Sequence, residues 1–395
     1  SFFSMESKAE FTRTQVIEAF ILEKSITAPD LVTKTGLSRP TVDSILNEFI
    51  ASGFIKKSGT GESRGGRRPV IFTINGTGRF SIGVAVAIPK IAGVIVDLNG
   101  DIHAEETLSL PIWTQADIFL DETAGLIRRL VDKLPQGQPF DGIGLAIPGL
   151  VDPEKGISIF FSRLSNFFNN PVSALLEKEI GRKVVLSRYL GSAAYSQILP
   201  FGEKYNKPLV YIELGEGIEM ALFTEGRSYR GNIQNEGGLG HMVIEYNGRT
   251  CLCGAKGCLE AYASNRVLID EAKLRVRNGE PSRVPTDRDM GDAEFYGLVR
   301  QNDPVALSVA ETGMDYLAQG VANVVNLLNP ARVIISGAIT HAGTVFMERV
   351  KDRILYYALN VLGKELDIRF IPFDIKEGAR GVGLLRLYQE QNVFV

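Results

Sequence analysis

The chain has 395 residues, 45% hydrophobic and 23% charged, with 43 Lys/Arg against 46 Asp/Glu. That length allows two or three domains with full cores; the apolar content excludes disorder, and 41 Gly and 17 Pro without a period exclude collagen-like structure. No apolar run approaches the roughly 18 residues of a membrane span, and Ser1-Phe2-Phe3-Ser4 lack the charged start and long apolar stretch of a signal peptide, so a cytoplasmic protein without membrane contact is expected.

Apolar residues Val16, Ile17, Phe20 and Ile21 fall at helical spacing and predict a first helix over 12–22. A second is expected from Ala28 to Lys34, with Thr27 as N-cap, Pro29 near its start and Gly36 just past its end. Ser38 caps a third, Arg39 to Ser52, whose inner face is Val42, Ile45, Leu46, Phe49 and Ile50. Phe54 to Lys57, a Gly-rich polar loop and the alternating run Val70 to Ile74 complete the pattern of a winged helix-turn-helix over residues 1–75. This segment carries ten Lys/Arg and eight Asp/Glu, whereas the remainder carries 33 and 38, so the small net charge hides a basic front and an acidic body. In such a unit the third helix enters the major groove of double-stranded DNA with its N-terminal residues at the base edges, which assigns Ser38, Arg39, Pro40, Thr41 and Ser44 to reading. The loop with Arg64, Arg67 and Arg68 combines glycine flexibility and guanidinium charge, as insertion into a narrow minor groove requires. A small protein-interaction domain with a solvated basic loop is the alternative.

From Phe80 onward short β-rich runs alternate with helices. Ile82–Ile88 and Ile91–Asp97 lead to the turn Leu98-Asn99-Gly100-Asp101, and helix 115–133, strand 141–147, helix 171–180, strand 183–187, helix 190–198 and strand 208–214 follow. A long helical region, 303–328, precedes the buried strand 331–338, and residues 276–292 read as an exposed excursion. An α/β architecture with more than one sheet is expected.

Three motifs in this body resemble those of a known family, the ROK proteins, which comprise sugar kinases and sugar-responsive repressors. Gly144-Leu145-Ala146-Ile147-Pro148-Gly149-Leu150-Val151-Asp152 is similar to the family's G-I-G-I-P-G-x-V-D, Gly237-Gly238-Leu239-Gly240-His241-Met242 to its G-E-I-G-H-M, and Cys251-Leu252-Cys253-Gly254-Ala255-Lys256-Gly257-Cys258-Leu259-Glu260 to its C-x-C-G-x-x-G-C-x-E. The resemblance implies an actin-like (ribonuclease H-like, hexokinase-like) body of two lobes after the winged helix, with 76–188 plus 375–395 as the small lobe and 189–374 as the large one. It also implies a homodimer or a dimer of dimers.

Three cysteines cannot make a disulfide framework, and all lie between Cys251 and Cys258, where glycines let the backbone curl around an ion. Cys251, Cys253 and Cys258 leave one tetrahedral vacancy that a borderline-soft ion such as Zn²⁺ fills with an imidazole, and His241 matches the family's fourth ligand. Four protein ligands make a closed site, hence a structural zinc. Three buried free thiols are the bland reading.

Where family kinases carry D-x-G-G-T this chain has Ala85-Val86-Ala87-Ile88-Pro89, which removes both glycines, a carboxylate and an N–H donor. The second phosphate loop, L-G-T-G-I-G in the family, is Leu214-Gly215-Glu216-Gly217-Ile218-Glu219, where a carboxylate about 4 Å from a phosphate costs about 4 kcal/mol at an effective dielectric near 20. The general base of E-N-D-A-N aligns with Leu190, which accepts no proton. No ATP binding and no catalytic residue are therefore expected. The remaining candidates for an effector pocket are Pro148, Gly149, Asn166, Arg188, Tyr189, His241 and Glu260; Tyr189 and Leu190 favour a partner smaller or more apolar than a hexose, Arg188 offers a carboxylate or phosphate anchor, and the effector expected is sugar-derived or smaller. A collapsed pocket is the alternative. The expected function is a DNA-binding repressor of carbohydrate-related genes on a pseudo-palindromic operator; an active sugar kinase fused to a DNA-binding domain and a protein-binding adaptor are the rivals.

Overall fold

The computed structural model describes residues 8–61, 68–161, 163–198, 207–229, 231 and 237–389. The chain divides into two compact units: one runs to Asn206 and resumes at Asp374, and the other spans Lys207 to Phe373 apart from the segment Gly226–Ser228.

The first unit opens with α1 (Lys8–Glu23), β1 (Ser25–Thr27), α2 (Ala28–Thr35), α3 (Arg39–Ala51), β2 (Ile55–Thr60) and β3 (Val70–Ile74). The expected caps are in place: Thr27 accepts from the Asp30 amide, and Ser38 from the Thr41 amide at 3.3 Å. Val16, Ile17, Phe20, Leu31, Val42, Leu46, Phe49 and Phe54 form its buried core. Two features exceed the sequence expectation. The three residues of β1 pair antiparallel with β3, giving a sheet of order β1-β3-β2, and β2 runs to Thr60, into the start of the stretch read as loop, and is exposed beyond Ile55.

The body of this unit contains β4 (Phe80–Ala87), β5 (Lys90–Asp97), β6 (Ile102–Ser109), α4 (Ala116–Val131), β7 (Phe140–Ile147), β8 (Leu150–Asp152), β9 (Ile157–Phe160), β10 (Phe168–Asn170), α5 (Val172–Ile180), β11 (Val184–Arg188) and α6 (Tyr189–Ile198). Its main sheet has the order β11-β7-β4-β5-β6, with β7 parallel to both β4 and β11. Arg188 at the end of β11 pairs with Ile147 at the end of β7, so both strands finish at one edge.

The second unit is built on β12 (Leu209–Leu214) and β13 (Ile218–Thr224), in a sheet of order β13-β12-β15-β16; β14 (Arg227–Ser228) lies in the segment assigned to the first unit. Then come α7 (Glu260–Ala263), α8 (Asn265–Arg277), α9 (Asp292–Arg300), α10 (Pro304–Leu328), β15 (Arg332–Gly337), α11 (Thr344–Tyr357), α12 (Asn360–Gly363) and β16 (Asp367–Ile371). The segment read as an exposed excursion is pinned. Val284 and Met290 are buried, and the Asp303 carboxylate accepts from Ser282 Oγ at 2.7 Å and the Arg283 amide at 2.8 Å.

The last described element is α13 (Ile375–Gln389), which packs on β4, β5, β7 and α6. A Cβ at Gly381 would lie 1.6 Å from the Ser192 carbonyl oxygen, a backbone-to-backbone approach that only glycine permits. This contact explains why α6 belongs to the first unit and the boundary falls after 206, where the sequence reading put it at 188.

Candidate functional site

The hydrophobic spacing of α3 turns Val42, Ile45, Leu46 and Phe49 inward, and its other face is open: Ser38, Arg39, Pro40 and Ser44 are exposed and Thr41 is half-buried. Asn47, which the sequence reading missed, is exposed on the same side, one helical turn beyond Ser44. The signal was available in the register that fixed the buried residues. A side-chain amide there suits bidentate contact with adenine. Arg39 Nε donates to both Asp43 carboxylate oxygens at 2.9 Å, but both groups are about half exposed, and such a pair contributes about 0–1 kcal/mol, so a phosphate or guanine can displace it. Lys56, Lys57 and Arg68 are exposed on the β2–β3 hairpin, while Arg64 and Arg67 lie outside the described residues.

His241, Cys251, Cys253 and Cys258 converge, with their four donor atoms all within 4.8 Å of one another. His241 comes from a short 3-10 turn, Leu239–His241, and the cysteines from the following loop. Isolated bridges Val243–Cys258 and Thr250–Lys256 close that loop, and Gly257, at φ +81°, leaves no room for a Cβ, which would stand 1.8 Å from the Glu245 carbonyl oxygen. Cys253 Sγ lies 3.7 Å from Cys258 Sγ, and Cys251 Sγ lies 3.7 Å from His241 Nδ1. A tetrahedral zinc with Zn–S bonds of ~2.3 Å has an S–S edge of about 3.8 Å, so the donor set fits that ion. Burial pushes the Cys258 thiol up to about 12, whereas a hydrogen bond from the Ala255 amide lowers that of exposed Cys253. An incoming metal must therefore displace a proton from Cys258.

The expected effector residues separate into groups. Pro148 and Gly149, just past β7, and Arg188, the last residue of β11, lie at the carboxyl ends of these paired strands, the place where ligands bind in open α/β sheets. Asn166 is exposed in the left-handed conformation, φ 56°, on the β9–β10 connection. Tyr189 is 5% exposed and its ring fills the space beside Gly378 of α13, where a Cβ would stand 2.5 Å from the ring, and Leu190 is buried with it. His241 and Glu260 belong to the second unit. There the Glu260 carboxylate accepts from the Ile218 amide at 3.1 Å, and so braces the Gly215-Glu216-Gly217 turn between β12 and β13. Asn265 holds the same turn through its amide to the Gly215 carbonyl at 2.9 Å. Glu216 and Glu219 are exposed, and Ala85 is fully buried in β4. No helix among the described residues is long and apolar enough to cross a membrane.

Comparison with known proteins matches residues 81–390 to the ROK family. The xylose repressor of Bacillus subtilis is 25% identical over 371 residues, covering 93% of this chain and 92% of that protein. The glucokinase of Thermotoga maritima is 29% identical over 290 residues, 69% of this chain and 90% of its own. A solved ROK-family transcriptional regulator, a homologue of the E. coli MLC protein, matches with a TM-score of 0.82 at 24% identity over 98% of both chains, which establishes the fold.

Proposed function

This chain belongs to the ROK family, and we propose that within it the protein is a DNA-binding transcriptional repressor of sugar-related genes. One observation carries the reading: a capped helix, α3, presents a polar face of Ser38, Arg39, Pro40, Thr41, Ser44 and Asn47 next to a lysine-bearing hairpin, ahead of a ROK body. The resemblance to the xylose repressor, which extends over 93% of the chain and so includes the winged helix, supports the same assignment.

The operator is a pseudo-palindrome read by a homodimer, with α3 of each copy in a major groove. A sugar-derived effector, held in part at the strand ends that carry Pro148, Gly149 and Arg188, shifts the balance between states of different DNA affinity. The four-ligand centre at His241, Cys251, Cys253 and Cys258 holds a structural zinc that staples the loop ahead of α7. Loss of kinase chemistry is supported by the buried Ala85, by exposed Glu216 and Glu219 on the would-be phosphate turn, and by the buried Leu190 in place of a base. Gel-shift of the purified chain against DNA upstream of its own gene tests the reading. A shift that resists competition by random duplex is expected, and its absence over the whole upstream region refutes the assignment.

A further inference from the structure

The C-terminal end of α3 is fastened to the body of its own unit. Arg79 Nη1 donates to the Ser52 carbonyl at 2.8 Å, the C-cap of α3, where a cation also meets the negative end of the helix dipole. The same guanidinium grips Asp141: Nε donates to one carboxylate oxygen at 2.8 Å and Nη2 to the other. The Asp141 side chain is 5% exposed and stands at the start of β7, the strand that leads to Pro148. Aromatic packing reinforces the joint. Phe54 is buried between Phe49 of α3 and Tyr388 of α13, with ring centroids 5.5 Å from each, and Tyr388 donates to the Leu98 carbonyl at 2.9 Å. The connecting residues 75–79 carry no slack: Asn75 Nδ2 donates to the Gly53 carbonyl, the Leu98 amide donates to the Gly76 carbonyl, and Gly76 and Gly78 are buried.

We propose that Arg79 is a positioning residue for DNA recognition, a clamp that locks the reading helix to β7 so that α3 and the strand leading to the Pro148–Gly149 turn move as one body. A winged helix on a free linker would adapt to operators of different half-site spacing; a clamped one holds two recognition helices at a single separation. Movement at the carboxyl end of β7 is then passed through Asp141 and Arg79 to the end of α3. The clamp's bearing on spacing rests on the DNA-reading function proposed above, whereas the clamp itself is testable without DNA.

The test compares wild-type, Arg79→Ala and Arg79→Lys full-length chains; the lysine keeps the charge but not the two-acceptor fork, and serves should the alanine variant fail to fold. Hydrogen exchange should show the amides of Gly53, Phe54 and Asn75 opening about tenfold faster in the variants, with the centres of β4 and β5 unchanged. Duplexes are then selected from a random library by the wild-type chain and rebuilt with one base pair added or removed between half-sites. The wild type should lose about tenfold or more in affinity, the variants less than about threefold, and all should bind a single half-site equally within about twofold. Unchanged exchange, or a variant that keeps the full spacing penalty, overturns the clamp. If the wild type selects no duplex, the DNA-reading proposal falls, and the exchange result still decides whether Arg79 latches α3.

Discussion

Replacing Cys258 by Ser asks how much of the second unit depends on the metal centre. Cys258 is fully buried and packs with Cys251, Ala261 and Tyr262 against Ile244 and Tyr316. Serine preserves the volume but offers a hydroxyl that zinc does not deprotonate at neutral pH. Structural zinc in small domains contributes about 10–16 kcal/mol across four ligands, so one lost thiolate should cost roughly 3–4 kcal/mol, or about 10²–10³ in affinity. The loss should be local, because the sheet and α10 carry a separate large core that includes Val210, Ile212, Leu317, Val321 and Ile335. Competition with a chromophoric chelator at pH 7.5, with zinc per chain measured by atomic emission, gives the affinity; circular dichroism gives the fold. Zinc bound within about threefold of wild type would refute the ligand assignment. Global unfolding of the second unit would refute the claim that the metal staples only a loop.

Zinc binding should weaken as pH falls. The Cys258 proton, held up to about 12 by burial, must be displaced before the sulfur can ligate, so moving from pH 7.5 to 6.5 should raise the dissociation constant about tenfold for that proton alone; a flat profile would contradict it. Asn47→Ala should lower affinity for a selected operator by about 1–3 kcal/mol without changing binding to random duplex, whereas Lys56→Ala with Lys57→Ala should weaken both and reduce the salt slope by about one per lysine. Both are read by fluorescence anisotropy across a salt series. Gly381→Ala should destabilise the first unit by about 3 kcal/mol, because the new Cβ meets the Ser192 carbonyl rather than a movable side chain; a urea midpoint unchanged from wild type would remove that contact from the packing of α13.

The parts legible in the sequence were those written in local chemistry. Thr27 and Ser38 cap their helices, α10 begins one residue inside the expected 303–328 region, and the Leu98–Asp101 turn joins β5 to β6. The metal residues converge because three of the four sit within eight positions of one another. What escaped depended on distant partners. Ser25–Thr27 has no strand pattern of its own and becomes β1 only by pairing with β3. The burial of Tyr189 is another such case, because nothing local announces the glycine of α13 that receives it. Polar segment 276–292 has no strand or helix pattern because its buried residues, Val284 and Met290, are isolated apolar positions without period, and its polar anchor, Asp303, lies outside it. Asn47 differs: the periodicity that marks the inward face of α3 also places it on the exposed side, next to Ser44.

The most direct measurement of the central claim is the ratio of affinities of the full-length chain for its selected duplex and for random duplex of the same length at 150 mM salt. A ratio of about 10³ or more, on a duplex with two related half-sites, is the predicted result for a reader of sequence through α3. A ratio near one would contradict it, leaving a basic surface without recognition.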